Sequence, residues 1–100
     1  MSPRLLDPDE VRAALAALEG WRGDQREITR TVELPSFPAA IRVVDRVAEA
    51  AEELDHHPDI DIRWRRLTFR LATHSAGGLT RLDPQLAHRI DEIVAEASGS

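Results

Sequence analysis

Four histidines, His56, His57, His74 and His88, carry most of the proton-transfer chemistry open to this 100-residue chain near neutral pH. Cysteine is absent, which excludes disulfides, thiolate nucleophiles, Cys-ligated zinc and iron–sulfur clusters. All 13 basic residues are Arg, so Schiff-base chemistry and a phosphate-loop lysine are excluded too. No G-x-S-x-G nucleophile elbow and no G-x-G-x-x-G dinucleotide loop occurs. His56 and His57 are adjacent, just before Pro58. Neighbouring side chains diverge by about 100° on a helix and point to opposite faces on a strand, so this pair chelates one ion badly. With no H-x-x-x-H spacing either, no metal site is expected. Histidines without a nucleophile or a metal point to general acid–base work on a small molecule. His88 falls on the polar side of a helical pattern and reads as an ordinary surface residue.

The elements that must position these residues follow from periodicity. Asp7-Pro8-Asp9-Glu10 starts a helix, with Asp7 as cap and Pro8 at the first helical position. Val11, Ala14, Leu15 and Leu18 make its apolar stripe, and Gly20 ends it. Residues 27–34 alternate, with Ile28, Val32 and Leu34 on one parity and Arg30 intruding; with the short stretch at Trp21 they predict a hairpin. Ser36 caps a second helix bearing two apolar stripes. One is Phe37, Ile41, Val44, Ala48, Ala51; the other is Ala40, Val43, Val47, Ala50, Leu54. So wide an apolar face suits packing on a sheet with room for a partner. Pro58 ends the helix near residues 55–57.

Residues 59–74 return to a period of two. Ile60, Ile62 and Trp64 share one face, Leu67, Phe69 and Leu71 another, and a turn at Arg65-Arg66 joins them into a second hairpin. Arg65-Arg66 is poor turn chemistry, because tight hairpin turns favour Asn or Gly. Trp64 reads as core rather than as a stacking platform. Ser75-Ala76-Gly77-Gly78 is a loop. A third helix starts at Thr80 or at Asp83-Pro84, turns Leu86, Ile90, Ile93, Val94 and Ala97 inward, and frays over 97–100. The order is α-β-β-α-β-β-α, an α+β two-layer fold: a four-stranded antiparallel sheet with three helices on one face, in a single domain over 1–100.

A formal net charge of −5 disfavours nucleic acid as a partner. The local exception, Arg63, Arg65, Arg66 and Arg70, reads as a solvated strand face and turn, with an anionic or inter-subunit carboxylate contact as the lesser reading. The apolar runs are too short to span a membrane, and MSPRLLDPDE shows no secretion signal, so the expected location is cytoplasmic.

The spaced set Glu52-x-x-x-His56-His57-Pro58, five residues, Trp64, nine residues, His74, eight residues, Asp83 resembles the signature of the pterin-4a-carbinolamine dehydratases. Thr73-His74, the Gly78-Leu79-Thr80 run and the order of elements agree with that family over roughly residues 5–95. The resemblance implies dehydration of 4a-hydroxytetrahydropterin to quinonoid dihydropterin, a step in tetrahydropterin recycling, with no metal and no organic cofactor. It implies a homodimer or homotetramer, formed by sheet-edge pairing and by packing of the long helix. It also implies His56, His57 and His74 as the catalytic set. We assign His56 and His74 to proton transfer and His57 to binding and orienting the pterin. Glu52, one helical turn before His56, can share its face and hold its tautomer. Asp55 and Asp83 are candidate supports, although Asp83 beside Pro84 reads equally as a helix-end cap. Arg65-Arg66 departs from the family, which carries Asn in that turn.

Two other readings stay open. One is a protein-binding scaffold with an idle site, as animal relatives are dimerisation partners of a homeodomain transcription factor; the complete histidine set argues against it. The other is the same chemistry on a different pterin.

Overall fold

The computed structural model describes residues 3–98. The elements are α1 (Pro8–Ala17), β1 (Arg22–Gly23), β2 (Ile28–Glu33), α2 (Phe37–Leu54), β3 (Asp59–Arg63), β4 (Arg66–Leu71), a short 3-10 turn (His74–Ala76) and α3 (Leu82–Ala97). They form the expected α+β arrangement, with the antiparallel sheet in the order β1-β2-β4-β3.

The sheet has one apolar and one polar face. Register places Ile28 opposite Leu71, Val32 opposite Leu67 and Ile60 opposite Phe69, and cross-strand partners share a face. These residues join Val11 and Leu18, Val43 and Val47 of α2, and Leu86 and Ile90 of α3 in one hydrophobic cluster. Thr29, Thr31, Thr68 and Arg70 occupy the opposite parity, where the Thr31 and Thr68 hydroxyls meet at 2.9 Å. Arg30 faces the apolar side, and its charge is resolved by an ion pair with Asp91 of α3. The buried Trp21 donates its indole N–H to the same Asp91 oxygen at 2.8 Å. The β1–β2 turn depends on Gly23, at φ +149, where a Cβ would stand 2.1 Å from the Glu27 carbonyl oxygen.

The structure departs from expectation in the β3–β4 turn, at Trp64 and at the start of α3. The β3–β4 turn is Trp64-Arg65, not Arg65-Arg66, because Arg63 pairs with Arg66. Leu34 is the reason: its N–H donates to the Arg65 carbonyl at 2.9 Å, which extends the β2–β4 ladder through Arg65 and leaves Trp64 to make the bend. Trp64 is therefore not core. It lies at φ 57 and is 70% exposed, with the Arg65 guanidinium 5.0 Å from its ring centroid. Of the two α2 stripes, the one through Ala40, Val43, Val47 and Ala50 is buried, whereas Phe37 is 46% exposed and Ala48 also faces outward. The third helix starts at Leu82 and holds through Ala97; Gly99 and Ser100, where fraying was expected, lie outside the described residues.

Candidate active site

The end of α2 is where the histidine geometry is set. Asp55 adopts φ 49, ψ 46, a left-handed conformation that Asp tolerates better than most residues. The Asp55 N–H then bonds to Glu52 O at 3.2 Å and the His56 N–H to Ala51 O at 2.9 Å, the paired closure of a Schellman motif. This reversal takes His56 off the Glu52 face and turns it inward. Glu52 pairs instead with His57 Nε2, and both side chains are exposed. The expectation that Glu52 would hold His56 is thus corrected: one left-handed residue moves that carboxylate to the next imidazole. Asp55, itself exposed, contributes the backbone reversal.

His56 is 8% exposed, and its Nε2 stands 2.5 Å from Asp83 Oδ1. Asp83 is wholly buried on the first turn of α3. Its Oδ2 accepts the Thr73 hydroxyl at 2.8 Å and the Thr80 N–H at 2.9 Å. Among the described residues no buried side-chain nitrogen or oxygen lacks a partner, so this polar cluster is fully satisfied. Asp83 serves both readings considered for it, capping α3 through Thr80 and holding His56.

His74 opens the 3-10 turn and is exposed. It follows Thr73, so the hydroxyl that reaches Asp83 anchors the residue before it. The register sets the rest: Asp59 pairs with Arg70, so the chain enters β3 from His57-Pro58 at the end of the sheet where it leaves β4 toward His74. The three histidines therefore lie at one end of the sheet. Trp64 is at the other, beyond the five residues of β3, about 16 Å of extended chain. His88, on α3, is exposed and makes no part of this cluster. Among the described residues, no group of three or more His, Asp or Glu is gathered to hold a metal.

Thr73 and Thr80 were not among the expected site residues, yet both had a readable signal. Thr73 continues the inward parity of Leu67, Phe69 and Leu71, and a polar side chain there needs a partner. Thr80-Arg81-Leu82-Asp83 has capping-box spacing. The Arg81 position already has helical dihedrals and no side-chain cap, so the capping contact sits one residue earlier, on Thr80.

Comparison with known proteins identifies the family and the fold. A sequence model of the family described as pterin 4 alpha carbinolamine dehydratase matches residues 4–93. A provisionally named pterin-4-alpha-carbinolamine dehydratase of Nocardia farcinica is 58% identical over 93 residues, covering 93% of this chain and 98% of its own. A counterpart from Mycolicibacterium smegmatis is 51% identical over 92 residues, covering 92% and 98%. The crystal structure of a protein described as a transcriptional coactivator/pterin dehydratase from Brucella melitensis superposes with a TM-score of 0.86 at 36% identity, covering 89% of this chain and 97% of that one. A pterin dehydratase-like RuBisCO assembly factor of the alpha-carboxysome, at 19% identity and a TM-score of 0.61 over 74% of this chain and 86% of that one, shares the fold. With the spaced histidines on this scaffold and a match running nearly end to end, the chain belongs to the pterin 4 alpha carbinolamine dehydratase family.

Proposed function

We propose that this protein is a dehydratase that removes water from 4a-hydroxytetrahydropterin to give quinonoid dihydropterin, acting as a single domain in tetrahydropterin recycling. Family membership supports the substrate class. The observation that carries the chemistry is the pair of imidazoles at one end of the sheet, His56 buried against Asp83 and His74 exposed on the 3-10 turn. Such a pair offers two nitrogen groups in unlike surroundings, as a reaction needing both an acid and a base requires.

In the reaction, the N5 lone pair forms the C=N bond to C4a while the C4a–O bond breaks. A protonated imidazole gives its proton to the departing hydroxyl, which leaves as water. A neutral imidazole takes the N5 proton, so atoms and charge balance. Imidazole suits both transfers, since one ring can donate a proton when charged and accept one when neutral. We assign the two transfers to His56 and His74 and the orientation of the pterin to His57.

The test is a stopped-flow measurement of dehydration on 4a-carbinolamine generated in situ by a pterin-dependent hydroxylase. Acceleration over the spontaneous rate, proportional to protein concentration, is expected. No acceleration would overturn the assignment and favour a scaffold role.

A further inference from the structure

The polar network under His56 has a direction, and that direction selects which imidazole nitrogen is available for chemistry. Thr73, Thr80 and Asp83 are all buried, so each hydrogen in the network is placed without help from solvent. A threonine hydroxyl holds one proton and an ionised carboxylate none. Thr73 spends its proton on Asp83 Oδ2. Its 2.8 Å contact with Thr80 Oγ1 is then one in which Thr80 donates. Thr80 Oγ1 in turn accepts the Leu82 N–H at 3.3 Å. Hydrogen bonds thus run one way, from the α3 backbone through two hydroxyls to the carboxylate. The remaining oxygen, Oδ1, stands 2.5 Å from His56 Nε2, and an ionised carboxylate can only accept there.

We propose that Thr73 and Thr80 are positioning residues that hold Asp83 as a pure acceptor, commit His56 Nε2–H to it, and leave Nδ1 as the nitrogen that exchanges a proton with substrate. The role toward substrate rests on the dehydratase reading; the hydrogen-bond direction does not. Among the described residues His56 Nδ1 has no hydrogen-bond partner, and no buried side-chain nitrogen or oxygen is unpaired. Nδ1 is therefore not sealed in the core, and His56 as a whole is 8% exposed. His57 contrasts with this, since its carboxylate partner Glu52 stands in solvent with 76% of its side chain exposed. An exposed pair of this kind fixes a ring weakly. Of the two adjacent imidazoles, only His56 is held by a buried relay.

The experiment uses the full chain labelled with ¹⁵N-histidine, without pterin, and assigns His56 by its loss in His56→Ala. In the wild type, Nε2 of neutral His56 should carry the proton, Nδ1 should not, and the Nε2–H should be downfield and slow to exchange. Thr73→Val removes one hydroxyl at nearly constant volume and should speed that exchange, while Thr73→Ser should restore the wild-type signal. In the stopped-flow assay, Thr73→Val should lower kcat by about 10–100-fold with KM held within about twofold, and Thr73→Ser should recover it. A proton on Nδ1 of neutral His56, or an Nε2–H whose exchange is indifferent to Thr73→Val, would overturn the proposal. The wild-type spectrum alone tests the first of these, so a variant that fails to fold leaves it falsifiable. A wild type that does not accelerate dehydration fails the functional reading, and the spectra still decide the direction of the relay.

Discussion

His56 and His57 differ by one position in the chain and by a whole environment in the fold, and the difference is made by one left-handed residue, Asp55. The consequence is testable side chain by side chain. A positioned acid or base contributes about 10²–10⁴-fold, so His56→Ala and His74→Ala should each lose most of the acceleration over the spontaneous reaction while the fold persists. The double variant should sit near the uncatalysed rate, since groups serving one transition state do not act additively. His88→Ala should be silent. Full activity in the double variant, by stopped flow, would remove both imidazoles from the mechanism. Trp64 makes a second residue-scale case. Held at positive φ and largely exposed, it should be replaceable by Asn, which tolerates that conformation. Trp64→Asn should be neutral or stabilising by about 1 kcal/mol in urea unfolding. A loss of about 3–5 kcal/mol would instead mark the indole as core.

At the scale of the element, α1 shows how local chemistry closes a helix. Asp7 accepts the Glu10 N–H at 2.8 Å while Glu10 accepts the Asp7 N–H at 2.9 Å, a complete capping box. Asp7→Ala should cost about 1 kcal/mol of stability, measured by denaturant midpoint at constant slope. Glu10 also forms two 2.8 Å bonds with the Arg4 guanidinium, chiefly responsible for lowering its carboxyl from 4.5 to about 2. Because the folded value lies below the unfolded one, the stabilisation is present above pH 4.5 and is lost as pH falls through about 2. Both groups are exposed, so the effect should be small and weakened by salt. Glu10→Gln keeps the capping acceptor and removes the charge. It should flatten the fall in thermal midpoint between pH 4.5 and 2; an unchanged slope would show that the ion pair contributes nothing.

For the whole molecule, one apolar sheet face and three helices make a closed core, while other apolar surface stays outside it. In the α2 stripe that starts at Phe37, Phe37 and Ala48 are exposed and Ile41 and Val44 half-buried, and β1 and β3 are open sheet edges. Open edges and an uncovered apolar stripe are surfaces that self-association removes from water. We expect at least a dimer by light scattering at micromolar concentration. A particle of 11.2 kDa throughout that range would refute this. No helix among the described residues is long and apolar enough to cross a membrane.

Much of this was legible in the chain itself, for a physical reason. Periods of 3.6 and 2, the caps at Asp7 and Ser36 and the breaks at Gly20 and Pro58 act within a few residues, so they set the α-β-β-α-β-β-α order without knowledge of the fold. The spacing of Glu52, His56, His57, His74 and Asp83 marked the candidate site through its resemblance to a family signature, not through local physics. Which carboxylate meets which imidazole was not local. It followed from the reversal at Asp55, which exchanges Glu52 between neighbouring histidines, and from the arrival of Asp83 from a helix 27 positions away. The Trp64-Arg65 turn was likewise decided by β2, through the Leu34 hydrogen bond to Arg65, a contact between strands 31 residues apart. Parity alone permits registers that differ by two residues, with the turn displaced by one, because such shifts leave every side chain on its face. Only the third strand chose between them.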